Sequence, residues 1–311
     1  VTYIKAFFPV FILGAIFGKV MEETGLARSI ARAIINGLGK EPLKAVISVV
    51  IAASVLTYGG VSLFVVVFAV YPFAAALFKE ANYPKRFVAP VIALGAFTAT
   101  MDCLPGTPQI QNIIPTTYFG TNLYAAPLAG IIGAIIIYGG GIFYLTHRLR
   151  HAVANGEGYG NHKINEPEHN EDMTYVNWKL AVIPLLAVLI INFVITECVV
   201  WDPDILTPFQ QMKGIPLVAA KLKNVVSIWA LIISLVVGIV LALIVGKREI
   251  KSVDGLTKIL NAGAIGSLLA IMNTASEVGY GNVISQLPGF ADVAHFLINI
   301  HIGGTPLVSE A

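Results

Sequence analysis

AVISVVIAASVLTYGGVSLFVVVFAVYPFAAALF, residues 45–78, runs for 34 residues without a charge. A bilayer-spanning helix takes about 20 apolar residues, so this stretch is too long for one span and too short for two. Its middle, Tyr58-Gly59-Gly60, is a turn signal. The arm before the turn, Ala45 to Thr57, would reach only about 20 Å at about 1.5 Å per residue, against a hydrocarbon core of about 30 Å. The pattern predicts a re-entrant hairpin over roughly 43–79, entering and leaving on one side of a membrane. Lys40 and Lys44 precede it; Lys79, Lys85 and Arg86 follow. Excess Lys and Arg marks the cytoplasmic side, so the hairpin is expected to open from the cytoplasm.

Downstream, Phe87 to Thr146 carries one charge, Asp102, over 60 residues. Phe87 to Met101 is apolar and helical in length. Asp102-Cys103-Leu104-Pro105-Gly106-Thr107-Pro108 cannot continue a regular helix, because two prolines and a glycine fall within four residues. Gln109 to Thr121 then completes the crossing, so 87–121 reads as one broken span. Ala125 to Thr146 returns to the cytoplasm and ends at His147, Arg148 and Arg150. Upstream, Tyr3 to Val20 is a first span, followed by a charged amphipathic stretch, Glu22 to Lys44.

The whole chain agrees with this reading. Of its 311 residues, 56% are apolar and 12% charged, against about 25% charged in soluble domains. Too little charge is present to coat a soluble protein of this size. Several long uncharged runs exclude a signal peptide as their explanation. The net charge of +2 points to no nucleic-acid partner. Cys103 and Cys198 show neither metal spacing nor a disulfide framework and read as small apolar filler.

Residues 151–178 form a polar cytoplasmic loop that divides a first membrane repeat, 1–150, from a second, 179–311. In the second, Lys179 to Thr196 goes out, Trp201 to Lys223 is an outer loop, and Asn224 to Gly246 comes back to Lys247 and Arg248. Leu256 to Ser276 goes out again, and Val293 to Val308 is expected to re-enter from outside around Gly303-Gly304. On this topology every Lys and Arg faces the cytoplasm except Lys5, Lys213, Lys221 and Lys223. Glu23-Thr24-Gly25 with Ile30 has a weak counterpart in Glu277-Val278-Gly279 with Ile284. Gly59-Gly60-Val61-Ser62-Leu63 has one in Gly303-Gly304-Thr305-Pro306-Leu307. The opposed directions of the two halves give an inverted repeat, the architecture of many secondary transporters. The fold expected is an all-α membrane protein with re-entrant hairpins and broken helices. The chain starts at Val1 and stops at Ala311 inside an unfinished pattern, so both ends are expected to be cut. The second repeat would lack roughly 80 to 90 residues if the halves match.

Broken backbone inside a membrane is tolerated where it lines a cavity or is buried in protein. Helix N-termini at such breaks offer unpaired N–H groups and a positive dipole end, which can hold a carboxylate without a buried Arg or Lys. The central runs contain neither, so an anion would bind this way. Glycines at the tips let the backbone approach a ligand, and the hydroxyls of Ser62, Thr107 and Thr305 could add hydrogen bonds. Asp102 reads either as a proton or cation carrier or as a neutral, hydrogen-bonded carboxyl or helix cap. Glu310 and His301 lie beside the second tip, and Asn273 and Ser276 face either the pathway or a neighbouring helix. His147 and His151, with His162 and His169, read as interfacial and solvated, so no metal and no cofactor is expected. There is no Walker loop, zinc-protease helix or nucleophile elbow, and Asp102 has no carboxylate partner at matching depth; an enzyme is not expected.

Gly59-Gly60-Val61-Ser62-Leu63-Phe64, an apolar arm, Lys85-Arg86, a second apolar arm and Leu104-Pro105-Gly106-Thr107-Pro108-Gln109 together resemble the gluconate permease (GntP-type) family. They are also similar to the citrate–metal symporters of the same ion transporter superfamily. The resemblance covers most of the chain and is specific mainly over 40–125. It implies a multi-pass protein of the bacterial cytoplasmic membrane that takes up a small organic anion by symport with a proton. It also implies paired hairpins and, from the wider superfamily, a homodimer with a moving transport domain. The implied site comprises Tyr58, Gly59, Gly60 and Ser62 at the first tip. It adds Asp102, Pro105, Gly106, Thr107 and Gln109 at the break, and Gly303, Gly304 and Thr305 at the second tip. Gluconate-type members usually carry a histidine among the prolines of the first break, and this sequence has none there. Hydroxybutyrate or another hydroxy or keto acid therefore stands beside gluconate as a substrate. Citrate or a dicarboxylate coupled to another cation, and an anion channel on the same broken helices, are the alternatives.

Overall fold

The computed structural model describes residues 2–61, 63–162, 176–202, 204–206, 208, 222, 225–250, 252–299, 301–302 and 305–306. Apart from a two-residue antiparallel ladder pairing His301–Ile302 with Thr305–Pro306, regular structure among them is helical. Five of the helices are long and apolar enough to cross a membrane: α1 (Thr2–Glu23), α8 (Pro127–Ala154), α9 (Trp178–Cys198), α10 (Val226–Val245) and α11 (Val253–Ser285). The shorter helices are α2 (Leu26–Leu38), α3 (Pro42–Tyr58), α4 (Leu63–Glu80), α5 (Val88–Ala96), α6 (Ala99–Asp102), α7 (Ile110–Phe119) and α12 (Pro288–Ile298).

Most of α3 is buried, while Leu43, Ile51 and Val55 along one side stay exposed. Ala45, Val46, Val49, Ala52, Ala53 and Leu56 have no exposed surface, and α2, α4, α5 and α8 pack around them. The opposite extreme is α8, where Leu128, Ile131, Ile132, Ile135 and Ile136 are exposed. Apolar side chains in such a contiguous stripe suit a lipid boundary, not water. The amphipathic stretch after α1 folds as α2, burying Leu26, Ala27, Ile30, Ala31 and Ile35. In the second half, α11 lies on α1 so closely that a Cβ at Gly263 would sit 2.7 Å from the Ile16 Cα. A small residue there allows the backbones to meet.

The expected broken span differs in detail. The helix that starts at Val88 ends at Ala96, not near Met101. Local hydroxyls explain the early stop. Gly95 O accepts Thr100 Oγ1 at 2.8 Å and Ser54 Oγ at 3.1 Å, while Thr98 Oγ1 donates to Leu94 O. These carbonyls would otherwise continue the helical ladder, and side-chain donors compete for them. One further turn, α6, precedes the proline segment. Of the expected cytoplasmic loop, 151–154 belong to α8, and 163–175 lie outside the described residues. Arg86 Nε and Nη2 donate to the two Glu157 carboxylate oxygens at 2.6 and 2.7 Å, tying the segment after α8 to the α4–α5 connection. Each partner favours the charged form of the other, holding the Glu157 carboxyl below its ordinary range and raising Arg86 further.

Candidate functional site

The turn between α3 and α4 closes by a defined set of bonds. Gly60 N–H donates to Thr57 O at 3.0 Å, and Val61 N–H donates to Leu56 O at 3.1 Å. Gly60 has φ of 92°, in the left-handed region. This is a Schellman closure, which needs a residue free to adopt positive φ one position past the helix cap, Gly59. Gly59 is required for a different reason. A Cβ there would fall 2.4 Å from Leu185 Cδ2, so α9 leans directly on the tip.

The proline segment satisfies its own backbone. Gly106, at φ of 79°, donates its N–H to Leu123 O at 2.8 Å. Asn112 Nδ2 donates to Thr107 O at 3.0 Å and to Leu123 O at 3.2 Å, and Thr107 Oγ1 donates to Thr100 O. Broken backbone paired in this way is tolerable away from water.

Tip and break clasp each other reciprocally. Tyr58 Oη donates to Pro105 O at 2.7 Å. In return, buried Gln109 sends Nε2 to Thr57 O at 2.6 Å and to Val61 O at 3.3 Å. Because the Gln109 side chain turns toward the tip, it makes no capping hydrogen bond at the N-terminus of α7. That terminus and the tip open on one cavity of about 790 Å³. Gly60, Pro108, Gln109, Ile110 and Gln111 line it from the first half; Gly14 on α1 and Leu235 on α10 contribute, and α11 supplies Ser267, Asn273, Thr274 and Glu277.

Of the residues singled out in the sequence, Gly60 and Gln109 reach the cavity, while Tyr58, Pro105, Gly106 and Thr107 hold the surrounding backbone. Asp102 is exposed at the end of α6 and is not among the cavity-lining residues. Thr305 sits in the short ladder; Ser62, Gly303, Gly304 and Glu310 lie outside the described residues. Asn273 lines the cavity and donates to Glu277 Oε1 at 2.9 Å. Glu277 was read only as part of a repeat. Its signal was a carboxylate one residue past the expected end of a span, in a helix that in fact continues to Ser285. Two further groups emerge only from packing: Thr57 Oγ1 and both amide atoms of Asn192 are buried without a hydrogen-bond partner among the described residues.

The model of the GntP family of permeases matches residues 6–303. The chain belongs to the GntP permease family. The resemblance carried by Gly59–Phe64 and Leu104–Gln109 is thereby borne out. A relative from Bacillus subtilis (strain 168), named uncharacterized transporter YxjC, is 44% identical over 318 aligned positions, which cover 99% of this chain and 66% of the relative. The chain thus spans about two thirds of that relative's length. No solved structure matches. Membership of GntP makes this a multi-pass protein of the cytoplasmic membrane, in a family of permeases and not of enzymes.

Proposed function

We propose that the chain is the larger part of a secondary transporter that moves a small organic anion, a hydroxy or keto acid such as gluconate or hydroxybutyrate, in symport with a proton. The observation that carries the reading is the shared cavity between the Gly60 tip and the N-terminus of α7, which the Gln109 side chain leaves uncapped. A carboxylate placed there would meet backbone N–H groups and the positive end of a helix dipole. Gln109 and Gln111 offer neutral amides for hydroxyl or keto oxygens. In this reading α3 and α4 form a re-entrant hairpin, and 87–121 is a broken span. The two halves form an inverted repeat, and Gly303 to Thr305 supplies the second tip. Two copies of the full protein would assemble as a dimer.

Two carboxylates compete for the proton. Asp102 is the lone charge in its 60-residue run, and Glu277 lines the cavity. The functional test is uptake of a radiolabelled organic acid panel into vesicles containing the full-length protein. Accumulation against a gradient that collapses with a protonophore supports symport; passive flux indifferent to the protonophore would leave a channel instead. The Asp102→Asn variant is expected to abolish proton-driven accumulation if Asp102 is the carrier. Unchanged pH-dependent uptake in that variant, with loss in Glu277→Gln, would transfer the role to Glu277.

A further inference from the structure

A second cavity of about 260 Å³ lies between α5 and α8, apart from the transport cavity. It is lined by Arg86, Phe87, Pro90, Tyr144, Leu145 and Arg148. Two arginines therefore border one small, mostly apolar cleft. Glu157 occupies Nε and Nη2 of Arg86, which leaves its Nη1 N–H groups to donate elsewhere. Arg148 is exposed and makes no hydrogen bond or ion pair among the described residues.

The level of the cleft along α8 is informative. From Leu128 to Arg148 the helix rises about 30 Å at about 1.5 Å per residue, the thickness of a hydrocarbon core. Over that length it exposes Leu128, Ile131, Ile132, Ile135, Ile136 and Phe143. Tyr144, 59% exposed, stands one turn before Arg148, where an interfacial aromatic belongs. Lys79 and Lys85, both near the Tyr159 ring, add charge of the same sign at this end of the bundle. The cleft thus presents cations at headgroup depth above an apolar surface at acyl-chain depth.

We propose that this cleft binds an anionic phospholipid, with the phosphate held between Arg86 and Arg148 and the acyl chains lying along α8. Guanidinium donors match phosphate oxygens in charge and geometry, and basic clefts between membrane helices take anionic headgroups. The site does not depend on the transport reading.

The test uses the purified full-length protein in a neutral detergent. Thermal unfolding is followed while phosphatidylglycerol, phosphatidylcholine of the same chains, or inorganic phosphate is added. Phosphatidylglycerol is expected to raise the unfolding temperature saturably, with the other two giving no comparable shift. Arg148→Gln removes a side chain that has no hydrogen-bond or ion-pair partner among the described residues, so it should fold normally and lose at least ten-fold in apparent phosphatidylglycerol affinity; Arg148→Lys should fall between. Equal protection by phosphatidylcholine would show a bulk lipid effect, and equal protection by phosphate would show a free-anion site. Unchanged affinity in Arg148→Gln would place the lipid elsewhere. Each of these three results overturns the proposal.

Discussion

Replacing Gln109 with Ala removes half of the clasp between tip and break. Two hydrogen bonds are lost, to Thr57 O and Val61 O, but the two acceptors fare differently. Thr57 O keeps the Gly60 N–H at 3.0 Å, so it stays paired. Val61 is buried, and its carbonyl loses the Gln109 donor. Interhelical hydrogen bonds in membranes average about 0.6 kcal/mol, and an orphaned buried acceptor costs about 1–3 kcal/mol. The expected destabilisation is therefore about 2–3 kcal/mol. Tyr58→Phe keeps the ring and deletes only the bond to Pro105 O, at a cost of about 1 kcal/mol. The two bonds join the same pair of segments, so they should couple by more than about 0.5 kcal/mol in a double-mutant cycle. The measurement is reversible denaturant unfolding of the full-length protein in micelles for the wild type, both single variants and the double variant. A Gln109→Ala protein within about 0.5 kcal/mol of wild type, with strictly additive effects, would refute the clasp.

Gly60→Ala places a side chain at φ of 92°, at a cost of about 1–2 kcal/mol, and should depress uptake more than expression; uptake kinetics at matched protein levels check it. At Gly263, an Ala Cβ would meet the Ile16 backbone, so α1 and α11 must separate at about 1–3 kcal/mol, read as a lower unfolding temperature. The Arg86–Glu157 pair predicts a pH dependence. Because the Glu157 pKa is lowered in the folded protein, its stabilising contribution is present above the ordinary carboxylate value. That contribution disappears as pH falls through the lower, folded value. The gap in unfolding temperature between wild type and Glu157→Gln should be open at neutral pH and close in acid.

The parts of the site readable from sequence are those where one residue type answers one local demand. Gly60 announces a positive φ after a helix, and Pro105 to Pro108 forbid a helical ladder whatever surrounds them. The stop at Ala96 was not readable, because it depends on Ser54 reaching a carbonyl 41 positions away and on Thr100 folding back. Gln109 was flagged as part of a motif, yet its bond to Thr57 O crosses 52 positions and exists only after α3 and α7 have met. Asp102 illustrates the converse. Its isolation in an uncharged run made it conspicuous, but isolation along the chain does not settle depth in the fold, and its side chain is exposed. Glu277 went unweighted because hydropathy alone ended its helix too soon.

The contact between Gly59 and Leu185 also bears on how the protein is made. The tip belongs to the first half of the chain, but the surface against which it rests is α9, synthesised about 125 residues later. At about 5–20 residues per second, the tip waits roughly 6–25 seconds for its buttress. During that interval the tip lacks the Leu185 side chain that packs on Gly59, and the nascent chain exposes an apolar turn to whatever inserts or guards it. Splitting the gene within 163–175 and expressing only the first fragment should therefore yield a protease-sensitive tip, which co-expression of the second fragment protects.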